Sequence, residues 1–123
     1  MKVEIVIGSN TLQAELNETQ TASAVGDLLP LSGSGKLWGD EIYFPIPLEM
    51  ENEKPKKDLT VGDLAYWPQG NAFCIFFGPT PASEGDEPRP ASPVTVFGSL
   101  TQGTETLQEI SREQLDEIQI RKA

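Results

Sequence analysis

Val61-Gly62-Asp63-Leu64-Ala65-Tyr66-Trp67-Pro68-Gln69-Gly70-Asn71-Ala72-Phe73-Cys74-Ile75-Phe76-Phe77-Gly78 is the stretch whose reading decides the fold. These 18 positions hold five of the nine aromatic residues and the only cysteine. A run this apolar cannot face water, so it belongs at the centre of the molecule. Leu64 to Trp67 and Ala72 to Phe77 read as strands around a Pro68-Gln69-Gly70-Asn71 turn, since those four residue types favour turn conformations. Phe73 to Phe77 lacks alternation and should be buried on both faces.

Working outward, Val3, Ile5 and Ile7 alternate with Lys2, Glu4 and Val6, the period of a strand with one buried face. Leu12, Ala14 and Leu16 repeat the pattern, and Gly8-Ser9-Asn10 joins the two as a hairpin. Thr21 offers an N-cap for a short helix that shows Ala22, Val25, Leu28 and Leu29 on one face and stops at Pro30. Leu31 to Lys36 reads as a flexible connection. Leu37-Trp38 and Ile42-Tyr43-Phe44 read as strand, limited by Pro45 and Pro47 to an edge or an irregular segment. Glu49 to Asp58 mixes acids and bases like a solvated loop or hairpin tip.

Pro79 to Pro93 contains five of the ten prolines together with Glu84-Gly85-Asp86-Glu87. A loop of this length is expected to be mobile or to line a site. Residues 83 to 88 are expected to be the least ordered interior segment, with Arg89 to Pro93 packing back on the barrel. Val94 to Leu100 reads as strand, and Thr104 caps a short helix carrying Leu107 and Ile110. At the end of the chain, Ser111 with Gln114 matches a capping box, while Glu117 to Arg121 alternates as a strand. The strand reading is preferred. At least seven strands and two short helices without a βαβ rhythm indicate one mainly β domain over 1–123, a closed or nearly closed barrel.

Composition narrows the chemistry. Nineteen acidic against nine basic side chains leave a net charge of −10, which repels nucleic acids and anionic membranes. No apolar stretch reaches the ~20 residues that span a bilayer. One cysteine forms no internal disulfide and suits a reducing compartment; a cytoplasmic protein is expected. The chain has no histidine, which removes the usual general base and the commonest metal ligand. A Ser-His-Asp or Cys-His pair is impossible within it. No metal and no cofactor are expected. Gly35-Lys36 fails as a phosphate loop, because Pro30 stands where its first glycine belongs and Leu37 where its hydroxyl residue belongs.

Trp38-Gly39-Asp40-Glu41-Ile42-Tyr43-Phe44, together with Val61 to Gly78, resembles a small family of archaeal and bacterial cyclophilin-like proteins of uncharacterised function. The resemblance runs along essentially the whole chain. It implies a closed cyclophilin-like β-barrel with two short capping helices. The likeness to true cyclophilins is in the second half. There Gly70-Asn71-Ala72-Phe73-Cys74-Ile75 sits where those isomerases have Gly-Ser-Gln-Phe-Phe-Ile. A second register matches Pro68-Gln69-Gly70 to their Met-Ile-Gln-Gly, and both stay open. The isomerases carry an arginine after Phe-His on an early strand, whereas Ile42 to Pro47 holds no basic residue and no arginine precedes Arg89.

The leading expectation is therefore a non-catalytic or weakly catalytic binding module for a small molecule or short peptide, with Trp38, Tyr43, Tyr66, Trp67, Asn71 and Arg89 as its ligand-binding residues. Aromatic residues near a barrel rim suit such a role, although aromatic clusters also build cores. Arg89 could grip an anion through its guanidinium, or pair with Glu84, Asp86 or Glu87. Asp40 and Glu41, as neighbours on a strand, point to opposite sides and do not make an acid–base pair. No catalytic residue is assigned. A weak prolyl isomerase and a structural homo-oligomeric subunit are the alternatives, and the protein is expected as monomer or homodimer.

Overall fold

The computed structural model describes residues 1–110 and 112–123. Its strands are β1 (Lys2–Ile7), β2 (Asn10–Leu16), β3 (Leu31–Gly33), β4 (Lys36–Leu37), β5 (Glu41–Pro45), β6 (Asp63–Trp67), β7 (Ala72–Phe76), β8 (Thr95–Gln102) and β9 (Ile118–Lys122). They form one curled sheet in the order β3-β9-β1-β2-β8-β6-β7-β5-β4. Each described pairing is antiparallel. Register shifts between Gln13 and Ala14 and between Leu64 and Ala65 bend the strands and let the sheet curl.

The two edge strands, β3 and β4, are consecutive in the chain, so Ser34 and Gly35 bridge the open side of this half-barrel. The Gly35 N–H donates to the Leu115 carbonyl at 2.7 Å. A Cβ on Gly35 would sit 2.4 Å from Ile118 Cδ1 and 3.1 Å from Ile42 Cγ2. Only glycine lets the β9 and β5 side chains meet across this seam. The barrel thus closes by chain and packing. The segment from Leu31 to Lys36, expected as a flexible connection, forms β3 against β9 and the start of β4 against β5. Strands this short carry no readable alternation.

Helix α1 (Gln20–Leu28) buries Thr21, Ala22, Val25 and Gly26. Its N-cap is Thr19, whose Oγ1 accepts from the Ala22 N–H at 3.0 Å, so the expected cap at Thr21 lies two residues too late. Thr21 is instead buried inside the first turn. The Glu53 carboxylate accepts from the Gln20 N–H at 3.0 Å, the Thr21 N–H at 2.8 Å and the Thr21 hydroxyl at 2.9 Å. The loop from Glu49 to Asp58 is mostly exposed, as expected, with Glu53 as the side chain that docks it on the helix. A second short helix, α2 (Thr104–Leu107), follows β8 and is capped by Gly103 rather than Thr104. Single 3₁₀ turns occupy Pro68–Gly70 and Arg112–Asp116. The capping box begins at Ser111, which lies outside the described residues; the preferred strand at the end of the chain is β9. Among the described residues no helix is long and apolar enough to cross a membrane.

β7 is buried on both faces, as its unbroken apolar run requires. On the inner face Phe73 stacks on Phe44 with ring centroids 5.2 Å apart and meets Phe97 edge-on at 5.1 Å. Ile5, Leu12, Leu64, Tyr66 and Ile75 are among the other members of that core. On the outer face Ala65, Ala72, Cys74 and Phe76 form a second cluster with Leu59 and Val94, flanked by Tyr43, Trp67 and Val96. Lys56 and Val94 pair backbone to backbone at 2.9 and 3.0 Å, holding the two covering loops together over this outer cluster. This second core positions the candidate site.

Candidate functional site

The β4–β5 connection is a tight turn: the Trp38 N–H donates to the Glu41 carbonyl at 2.9 Å, and the Glu41 N–H to the Trp38 carbonyl at 3.2 Å. Gly39 lies at φ +60°, and a Cβ there would fall 2.8 Å from the Thr80 Cα. Glycine is required on both counts. Strand alternation beyond the turn sends Ile42 and Phe44 to the inner core and leaves Glu41 and Tyr43 on the outer face. The turn brings Trp38 beside them. Across the sheet Trp67, also outward, is fixed by its indole Nε1, which donates to Ser92 Oγ at 2.7 Å.

Between these side chains and the proline-rich loop lies a cavity of about 230 Å³ lined by Trp38, Glu41, Tyr43, Trp67, Pro90, Ala91 and Val94. Three of the lining side chains are aromatic and one is proline. Glu41 is the only ionisable carboxyl on the lining, and just 7% of it is exposed. Burial pushes its pKa up to about 7, against which a hydrogen bond with Cys74 acts weakly. Cys74 stands on β7 opposite Tyr43 and is fully buried. Burial, and next the charge of Glu41, hold its thiol well above the usual range. A thiol so protonated is a poor nucleophile. Among the described residues no three His, Cys, Asp or Glu side chains gather as a metal site.

Of the six residues expected to bind ligand, Trp38, Tyr43 and Trp67 line this cavity. Tyr66, Asn71 and Arg89 do not. Tyr66 is fully buried in the inner core because it alternates with Trp67 on β6. Its hydroxyl lies 2.6 Å from the Leu48 carbonyl and 3.1 Å from Asn71 Oδ1, and accepts from the Met50 N–H at 3.3 Å. Asn71 adopts φ +48° at the end of the Pro68–Gly70 turn and accepts from the Ile46 N–H at 2.9 Å. Both are therefore scaffold for the 46–50 segment. Arg89 pairs with Glu87 at 3.4 Å and Asp58 at 3.8 Å, the loop-stiffening alternative.

Glu41 was set aside at the sequence level because its neighbour Asp40 points away, and Asp40 does turn elsewhere, accepting from Gln108 Nε2 at 3.3 Å. The signal was present nonetheless: an acid in phase with Tyr43 on a strand whose other phase is Ile42 and Phe44. Pro90 and Ala91, in the stretch expected to pack back on the barrel, line the cavity together with Val94.

The loop above the cavity is tied to itself. The Glu87 carboxylate accepts from the Glu84 N–H at 2.9 Å and the Gly85 N–H at 2.7 Å, and these bonds, Glu84's first, hold its pKa down. The Ser83 hydroxyl donates to the Glu87 carbonyl and Thr80 Oγ1 to the Arg89 carbonyl. Residues 83 to 88, expected to be the least ordered, thus form a hydrogen-bonded turn, and Pro88 and Pro90 are buried behind it.

The family model described as cyclophilin-like matches residues 1–121. This chain belongs to the cyclophilin-like family. Among solved structures, a hypothetical protein from Archaeoglobus fulgidus is 34% identical with a TM-score of 0.75, the match covering 100% of this chain and 95% of that one. The protein McbB, solved in complex with tryptophan, is 18% identical with a TM-score of 0.69, and the match covers 98% of this chain but 44% of McbB. That second likeness is one of fold. No curated protein matches this chain.

Proposed function

We propose that this cyclophilin-like protein is a small-molecule binding module, and that its ligand sits in the outer-face cavity between Trp38, Tyr43, Trp67 and the proline-rich loop. The observation that carries the reading is a cavity with aromatic walls and one buried carboxyl that lies outside the main core, where packing alone does not require one. Small-ligand sites combine apolar surface with a few placed polar groups in this way. At about 230 Å³, the space is smaller than the ~300–1,000 Å³ of drug-sized sites and suits a compact metabolite. That a protein of the same fold was solved with tryptophan agrees with an aromatic small molecule but does not name this ligand.

The two tryptophans of the chain both line the cavity, so intrinsic fluorescence is a local reporter. A metabolite panel screened by fluorescence and confirmed by titration calorimetry tests the proposal. At least one compound is expected to bind more tightly than millimolar, with loss of binding in Trp67→Ala. Uniformly millimolar or absent binding would remove its support. The proline-isomerase alternative is less favoured: the lining holds no arginine or lysine to polarise a prolyl amide, and Arg89 is engaged by Glu87 and Asp58.

A further inference from the structure

The cavity of the proposed binding module is incomplete in charge. Glu41 is 7% exposed and, among the described residues, forms no ion pair. A buried carboxylate is stable only when something neutralises it, either a proton or a cation. The lining around it includes the aromatic side chains of Trp38, Tyr43 and Trp67, and aromatic rings attract cations through their quadrupole. The indole Nε1 of Trp67 is already committed to Ser92, so that ring brings its π system rather than a free donor.

We infer that the ligand of this site is a small organic cation, a protonated amine on a compact apolar or aromatic body, with its N–H groups on the Glu41 carboxylate and its charge over the aromatic walls. The inference rests on the small-molecule reading above and adds the class of molecule. An anionic ligand finds no cationic side chain on the lining. A neutral one leaves the carboxylate uncompensated whenever it is ionised. The net charge of −10 adds a long-range field that gathers cations.

Binding then carries a proton signature. Glu41 titrates near 7 in the folded chain. The groups that face it are few. From β7 comes the Cys74 thiol, held protonated; from β5 itself Tyr43; from β6 Trp67; from the covering loop only Pro90, Ala91 and Val94. Lys36 on β4 stands opposite Tyr43 in register but is exposed and unpaired with Glu41. Asp40 is turned to Gln108 and Arg89 is held by Glu87 and Asp58. A cation that binds the ionised form must displace the proton, releasing about half a proton per ligand near pH 7.

Three probes of one shape and different charge decide it: benzylammonium, benzyl alcohol and benzoate, titrated by calorimetry and tryptophan fluorescence. Benzylammonium should bind the native protein on the order of tenfold more tightly than benzyl alcohol at about pH 8.5, and lose that advantage at about pH 5.5. Glu41→Gln should abolish the preference while benzyl alcohol still binds. Should that variant fold poorly, calorimetry of the native protein in two buffers of different ionisation enthalpy counts the released proton directly. Binding of all three probes with similar affinity, or no proton release, overturns the cation while leaving a binding cavity. No binding of any probe together with no hit in the metabolite panel overturns both.

Discussion

Glu41 makes the stability of this protein depend on pH in a direction opposite to most carboxylates. Its ordinary value is 4.5, and burial raises it to about 7 in the folded chain. Below 4.5 both folded and unfolded states hold the proton and the group is neutral in the balance. Between the two values only the folded state holds it, so stability falls as pH rises. Above 7 the whole loss is present, roughly 3 kcal/mol at about 1.36 kcal/mol per unit. Carboxylates with depressed values, such as Glu53 and Glu87, act in the reverse sense and mask it in the native curve. The comparison to make is chemical denaturation of native protein and Glu41→Gln across pH 4 to 9. The difference between them should grow in favour of the variant between about pH 4.5 and 7 and then level off. A constant difference would mean that Glu41 is not desolvated.

Glu53 shows what a single distant side chain does for an element. Helix α1 has no acidic residue in its first turn, so the N–H groups of Gln20 and Thr21 are satisfied by a carboxylate from another loop. Those bonds, the one from Gln20 first, lower the Glu53 pKa. Stability from this group is complete above the ordinary carboxylate range and disappears as pH falls through the depressed value. Glu53→Ala should therefore lower the melting temperature at neutral pH and lose its effect in strong acid, as read by circular dichroism. The loop from Pro79 to Pro93 is the other element with a separable role. Residues 83 to 87 are exposed or half-buried, whereas Pro88 and Pro90 are buried. Replacing Glu84 to Glu87 with a glycine pair removes the Glu87 turn and the Glu87–Arg89 pairing but no core side chain. Melting should shift by only a few degrees, because loop closure depends weakly on length, while affinity at the cavity falls as Pro90 and Ala91 lose their support. A large melting shift would make the loop part of the structural core.

The whole molecule separates fold from activity. A barrel shared with prolyl isomerases does not import their chemistry, since activity belongs to side chains placed on the fold. Here the outer-face cavity carries a carboxyl and aromatic rings but no guanidinium. A protease-coupled peptide assay should read the uncatalysed rate of prolyl rotation; acceleration lost in Trp67→Ala would reinstate the isomerase. Among the described residues Met1 and Val61 are the exposed large apolar side chains, at 53% and 44%, and they are scattered rather than a patch of the kind that buries a partner. Sedimentation at micromolar concentration should give a single monomeric species, and a stable dimer would revive the structural-subunit alternative.

The strands of this barrel were legible in the sequence because burial on one face imposes a local period that each segment carries by itself. Val3, Ile5 and Ile7 answer Leu12, Ala14 and Leu16, and the unbroken run from Phe73 to Phe77 announced a strand covered on both sides. The same alternation, applied to β5 and β6, separates Glu41, Tyr43 and Trp67 on the outer face from Tyr66 within. What lies beyond local period was not legible. The N–H groups of Gln20 and Thr21 find Glu53 in a distant loop, the closure at Gly35 depends on Ile118, and the cavity needs Pro90, Ala91 and Val94 to lie over the outer face of the sheet. Those contacts join residues far apart in the chain, and a charge such as that of Glu41 changes its meaning only when the tertiary structure takes its water away.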